Sequence, residues 1–293
     1  MGNLTAPILS LSAAVSWGAA DFSGGIATKA ANPFRVVVVA HFAGLIFMLA
    51  LALFSGEPAP AMRALAVGAA AGMVGGIGLA AFYKSLAVGT MGINAPLSSV
   101  ITALLPLSFS FVTEGLPNAV RIFGFVLALI SIWVIAAPHQ IGARRQQGVG
   151  LAVVAGIGFG GFLLLMRVAG TSGVFWPLAS ARAASCALML LIVVASGDVQ
   201  SARCELRGGT ASTSPFALST LHYMIIAGIL DSGANALYVA AAQRGRLDSA
   251  AVLSSLYPAS TVILARVVLK ERLSKMQAAG MVAALAAVAL ISF

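Results

Sequence analysis

Four ionisable side chains stand where charge is expensive. Asp21, His41, Arg182 and Asp231 fall inside long apolar runs, and Lys84 falls nearer the end of one. An ionisable group in a hydrocarbon interior costs ~2.5–3.5 kcal/mol on insertion scales, so it takes a partner or lines water. Asp231 and Arg182 sit nearest the centres of their runs. They admit two readings: a buried ion pair that only fixes packing, or a site linked to substrate or protons. Asp231, Asn235 and Tyr238 lie at i, i+4 and i+7, one helical face, and this stripe is the leading candidate for a cavity lining. His41, with a reference pKa of ~6.5, suits proton relay, and equally a hydrogen-bonded packing role.

Hydroxyl and amide groups form two further clusters. Asn94, Ser98 and Thr102 share a face, with Ser99 beside it, and Ser254, Ser255 and Tyr257 precede Pro258. Proline inside a spanning helix frees backbone carbonyls that water or a ligand then satisfies. Pro96 and Pro106 flank the first cluster as Pro258 follows the second. The competing reading is that the serines bond back to their own helices and only bend them. Trp17, one turn before Asp21, and Tyr83, Tyr238 and Tyr257 are candidates to stack on a ligand, whereas Trp176 reads as an interface anchor. The candidate substrate-binding set is therefore Trp17, Asp21, Tyr83, Asn94, Ser98, Ser99, Asp231, Asn235, Tyr238, Ser255 and Tyr257. His41, Arg182 and Asp231 are coupling or structural charges.

Other chemistry finds little support. Asp21 and Asp231 lack the Gly-x-Gly-Asp setting of an intramembrane aspartyl dyad, no His-Glu-x-x-His motif occurs, and His41, His139 and His222 lie on separate segments. Cys186 and Cys204 give neither metal spacing nor a convincing disulfide. GxxxxGK[ST] is absent, which argues against ATP drive within this chain. No catalytic residue, metal or cofactor is expected.

The elements that must position these residues follow from composition. Of 293 residues, 60% are hydrophobic and 9% charged, against ~45–50% and ~25% in an ordinary soluble domain. The mean hydropathy is +1.02. Those values exclude a soluble enzyme, a secreted disulfide scaffold and a nucleic-acid module. The net charge of +9 is scattered along the chain, as suits topology signals and lipid headgroups. The opening MGNLTAPILSLSAAVSWGAADF lacks the basic start and cleavage site of a signal peptide and reads as a first helix.

Apolar runs between turn signals predict ten transmembrane helices, near 5–28, 34–55, 62–87, 91–112, 118–137, 148–168, 174–196, 217–242, 248–269 and 274–292. Only the stretch from Gly197 to Pro215 reads as a long linker. The chain also repeats. Tyr83 falls on Tyr238, Leu97-Ser98-Ser99 on Leu253-Ser254-Ser255, and Glu114-Gly115-Leu116 on Glu271-Arg272-Leu273; HFAGLIFMLAL from His41 matches RAASCALMLLI from Arg182 more weakly. Five helices are an odd number, so two copies lie in opposite orientations, as in many transporters. The expected organisation is all-α and membrane-integral: a first five-helix repeat over 1–138, a loop over 139–147, and a second repeat over 148–293. Gly68, Gly72 and Gly76, and Gly156 and Gly160, read as small-residue packing faces. Glu114 and Glu271, at helix ends, read as capping or pairing locally.

Two five-helix halves, Trp17-Gly18, Arg182, the serines before Pro258 and the following Leu-Lys-Glu-Arg-Leu resemble the drug/metabolite transporter superfamily, specifically its EamA-type members. His41 replaces the basic residue usual in helix two, and Thr102 stands opposite Pro258. The resemblance implies a secondary transporter, with export of amino acids and related metabolites known among relatives, and cytoplasmic termini in a bacterial inner membrane. The lining residues point the same way, to a small zwitterion or neutral polar solute. Expected partners are that solute, the lipid bilayer and protons, with no nucleic acid, and a monomer is compatible with the sequence. A transporter-fold sensor or assembly protein is the alternative; an intramembrane enzyme is the least favoured. With the N-terminus inside, Arg63, Arg121, Arg167, Arg244 and Arg246 are cytoplasmic and eleven Lys and Arg lie opposite, so the positive-inside rule alone favours the reverse orientation.

Overall fold

The computed structural model describes residues 4–28, 30–58, 60–88, 91–136, 148–170, 173–195, 215–268 and 275–292. The predicted 139–147 loop and most of the linker lie outside them, as do Lys29, His139, Cys204 and Glu271. The described residues are helix and turn without strand. In chain order the helices are α1 (Thr5–Thr28), α2 (Pro33–Phe54), α3 (Met62–Val88), α4 (Met91–Thr113), α5 (Ala119–Ala136), α6 (Val149–Ala169), α7 (Phe175–Ala195), α8 (Pro215–Arg244), α9 (Leu247–Ser254), α10 (Tyr257–Val268) and α11 (Lys275–Ser292).

The ninth expected helix is therefore two. Ser255 N donates to Ala251 O (3.0 Å) and closes α9; Leu256 N to Leu253 O (3.3 Å) and Ala259 N to Leu256 O (3.0 Å) are tighter three-residue turns. Pro258 then sits in the first turn of α10, where its missing N–H costs no helical bond. Its position breaks the helix instead of kinking it.

By length and composition, Phe34–Phe54, Met62–Phe82, Val149–Ala169, Phe175–Ala195 and Ser219–Arg244 can each cross a membrane, with shorter apolar helices over Leu97–Thr113, Ala119–Val134 and Ala278–Ile291. The surface is apolar, with Phe42, Ile46, Leu53, Phe123, Ile130, Leu191 and Leu285 all exposed, while Ser10, His41, Thr102, Arg182, Ser185, Asn235 and Ser254 are buried. That inside-out distribution is what a hydrocarbon solvent requires.

Packing repeats itself between the two halves. α1 lies against α8 as α3 lies against α6, α3 against α7 as α2 against α8, and α4 against α6 as α1 against α9 and α10. α2 meets α7, and α5 meets α11. Each pairing maps onto another, or itself, when the halves exchange. Glycines set the crossings. A Cβ at Gly72 would collide with the Ala181 carbonyl oxygen on α7, and one at Gly228 with the Ala40 carbonyl oxygen on α2. Gly160 meets Thr102 O and Leu105 Cβ; Gly18 meets Tyr257 O and Ser260 Cβ, the same contact 142 and 155 residues along. Gly68 and Gly156 are likewise closed, against Pro177 and Ile101. Here the small-residue faces bring backbones together.

Two carboxylates of the first half cap helices of the second. Glu57, after α2, accepts from Val174 N (2.7 Å) and Phe175 N (3.0 Å) at the start of α7. Glu114, after α4, accepts from Leu247 N (3.2 Å) at the start of α9 and lies 4.0 Å from the Arg246 guanidinium. Arg246 also donates to Glu114 O and Gly115 O (3.1 and 2.7 Å) and pairs with Asp248 at 2.7 Å. Glu114 also accepts locally from the Ser110 hydroxyl (3.0 Å), so it pairs within its own helix end while capping a distant one. Carboxylates suit these places because the first N–H groups of a helix lack partners and carry partial positive charge.

Candidate functional site

A cavity of about 140 Å³ lies between the halves, walled by α1, α2, α3, α4, α6, α7, α8 and α10. Its lining positions recur along the chain. Trp17, Ala20 and Asp21 of α1 correspond to Phe159, Phe162 and Leu163 of α6, 142 residues on. Ala40 and His41 correspond to Ala181 and Arg182, 141 on, and in the packing Thr102 takes the place of Tyr257, one residue off the sequence match that set it opposite Pro258. Matching positions carry different chemistry: Asp21 faces in from α1 where α6 supplies Leu163, and Asp231 from α8 where α3 supplies Gly76.

The polar groups fall into three sets. Arg182 and Asp231 form an ion pair, with side chains 8% and 33% exposed. His41 Nδ1 and the Ser185 hydroxyl are hydrogen-bonded at 2.9 Å, donor and acceptor being set by the tautomer. Ser185 lies one turn from Arg182, so α7 presents both on one face. Asp21 has no cationic partner among the described residues. Around these groups stand Trp17, Phe82, Phe159, Phe162 and Tyr257. Trp17 packs edge-on to Tyr257 (centroids 6.4 Å) and on its other side meets Tyr238 (6.0 Å). Gly72, Gly75 and Gly76 leave the space; a Cβ at Gly75 would already touch the Phe162 ring at 3.0 Å.

Of the residues singled out from sequence, Trp17, Asp21, His41, Arg182, Asp231, Asn235 and Tyr257 line this cavity. Four others do not. Tyr238 is fully buried behind Trp17: seven residues along a helix from Asp231 returns to the same face but ~10.5 Å away along the axis. Ser99 and Ser255 are buried in the crossing of α4 with α9, and Ser98 is buried with its carbonyl against Gly156 of α6. Ser99 donates to Ser255 O (3.1 Å), a contact between positions matched by the repeat, and Ser255 donates back to Val252 O (2.8 Å). Asn235, although it lines the cavity, donates its amide to Asp231 O (2.8 Å). Thr102 remains as the helix-four lining residue and bonds back to Ser98 O (2.8 Å). The side chains of Tyr83, Asn94 and Pro96 lie outside the described ones. Pro106 and Pro258 are buried; Pro258 opens α10, whereas Pro106 sits within an unbroken α4.

Sequence reasoning missed the aromatic wall of α3 and α6 and the hydroxyl of Ser185. The signal was present. Phe159 and Phe162 are three apart, and Ser185 is three from Arg182, the spacing of residues sharing a face. Cysteine labelling tests the assignment in a chain lacking Cys186 and Cys204. Thr102→Cys, Ser185→Cys and Asn235→Cys are expected to react with a water-soluble thiol reagent, and Ser98→Cys and Ser255→Cys to be protected. Equal labelling of all five would place the cavity elsewhere.

The profile of the EamA-like transporter family matches residues 146–293. No curated protein matches the chain. A solved crystal structure, described only as that of a protein, is similar with a TM-score of 0.76 and 17% identity over 98% of each chain. At that identity the likeness establishes the fold alone.

Proposed function

The chain belongs to the EamA-like transporter family, within the drug/metabolite transporter superfamily, and from that premise we propose that it is a secondary transporter moving a small polar metabolite by alternating access through the central cavity. The family's members are membrane transporters, and the chain is a multi-pass integral membrane protein. The observation that carries the reading is a charged cavity walled by matching positions of both halves. In inverted-repeat transporters the site lies at the repeat interface, and one half rocks against the other. The exchange symmetry of the packing supports ten membrane crossings in two inverted repeats, with α9 and α10 together making the ninth.

Size bears on the solute. An apolar cavity of ~150 Å³ admits a molecule of benzene size, so about 140 Å³ fits an amino acid or a related amine far better than a nucleotide sugar. Amino-acid-like solutes and export are the substrate class and direction proposed, with termini on the cytoplasmic side of a bacterial inner membrane. Movement is driven by protons, by exchange or by the solute gradient.

The test is flux into proteoliposomes containing only this protein, against a panel of amino acids and small amines, with and without a pH gradient. Saturable movement of one class is the expected result. No movement of anything by folded, inserted protein would favour a sensor or assembly role on a transporter fold.

A further inference from the structure

The cavity holds two carboxylates, Asp21 and Asp231, and one guanidinium, Arg182. Arg182 is already committed to Asp231, and His41 is engaged by the Ser185 hydroxyl. The lining therefore leaves one carboxylate, Asp21, without a fixed cation. A carboxylate removed from bulk water is unfavourable until a proton or a cation neutralises it, and among the described residues the chain supplies no second cation. A zwitterion does not solve this, since its own carboxylate restores the deficit and finds Arg182 occupied. The walls add to the argument. Trp17 and Tyr257, with three phenylalanines, surround the carboxylates, and aromatic faces attract cations by their quadrupoles while offering anions nothing.

We infer that the cavity selects a small organic monocation, an amine without a carboxylate, with Asp21 as its counter-ion. This narrows the substrate class proposed above and rests on that reading of the cavity. Charge, more than shape, then decides what binds. Groups facing Asp21 from the other helices are Asp231 on α8, Arg182 on α7, His41 on α2 and Tyr257 on α10. Of the two carboxylates, Asp21 is the one without a fixed opposite charge among the described residues.

The experiment compares three solutes that share an isobutyl body, close to benzene in size, and differ in charge: isobutylamine, valine and 3-methylbutanoate. Binding to the purified full chain is measured at pH 7.5, where the amine is cationic and an ordinary histidine largely neutral. The amine is expected to bind about thirtyfold tighter than the amino acid, the low end of what losing one partner of a buried charge pair costs, and the anion not to bind. Asp21→Asn should abolish the amine's advantage and Asp21→Glu should keep it. Because the wild-type comparison needs no variant, a misfolded Asp21→Asn chain does not rescue the idea. Equal binding of amine and amino acid, preference for the amino acid, or binding of none of the three overturns the inference. Transport survives that outcome if flux of any solute is observed. Amine binding without flux of any solute would instead keep the charge selection and overturn the transport reading.

Discussion

Asp231→Asn is expected to abolish flux and destabilise the protein, and Arg182→Met with Asp231→Leu to restore much of both. Breaking a buried pair by removing one partner costs roughly 3–5 kcal/mol. The lower end applies here because the Asp231 side chain is 33% exposed while that of Arg182 is 8% exposed. The single change also alters function through charge. It leaves Arg182 as an unpaired cation in the same cavity as Asp21, which opposes entry of a cationic solute. Replacing both members with apolar groups of similar volume is often neutral or stabilising, and leaves Asp21 unpaired as before. Unfolding midpoints in detergent and flux in proteoliposomes check the two halves of the expectation. A double variant that is folded yet as inactive as the single one would show that the pair acts directly in transport. A folded, fully active Asp231→Asn chain would remove Asp231 from the mechanism.

Gly72→Val and Gly228→Val are each expected to deplete folded protein, by roughly 3 kcal/mol or more of stability, the upper range of overpacking. At both positions the first atom a side chain meets is a backbone carbonyl oxygen of the facing helix, Ala181 or Ala40. A carbonyl held in a helix cannot swing aside as a side chain can, so α3 must leave α7, or α8 must leave α2. Gly25 is the control. Nothing lies within 4 Å of a Cβ built there, and Gly25→Ala should stabilise the helix by about 0.5–1 kcal/mol. Size-exclusion profiles and thermal midpoints of the three variants decide the matter. Monodisperse Gly72→Val with an unchanged midpoint would mean that the crossing is looser than the geometry requires.

Helix positions were legible because apolar runs of spanning length between Asn32-Pro33, Ser55-Gly56 and Leu116-Pro117-Asn118 leave few alternatives. The cavity positions recur at nearly the offsets read from the sequence match. Depth within the bundle was not legible. Helical spacing gives the angle of a side chain about its axis, but not which neighbour arrives at that height. Ser98 and Thr102 share a face one turn apart; Gly156 of α6 closes over the Ser98 carbonyl (2.8 Å to a Cβ), while Thr102 reaches the cavity. The break before Pro258 was hidden for a similar reason. Proline either kinks a spanning helix or opens a new one, and the choice rests on α1, whose Gly18 admits the Tyr257 carbonyl. The pairing of Arg182 with Asp231 was one of two open readings, and the uncommitted Asp21 emerges only once that pair is known.

The capping carboxylates bear on how the chain is made. Glu57 and Glu114 emerge from the ribosome more than a hundred residues before the N–H groups they satisfy at Val174 and Leu247. The first half therefore enters the bilayer with its acceptors waiting, and the helices that supply the donors arrive last. α1 also waits, since its main neighbour is α8. Residues 1–138 expressed alone should insert but remain a substrate for quality-control proteolysis until residues 139–293 are supplied as a second polypeptide.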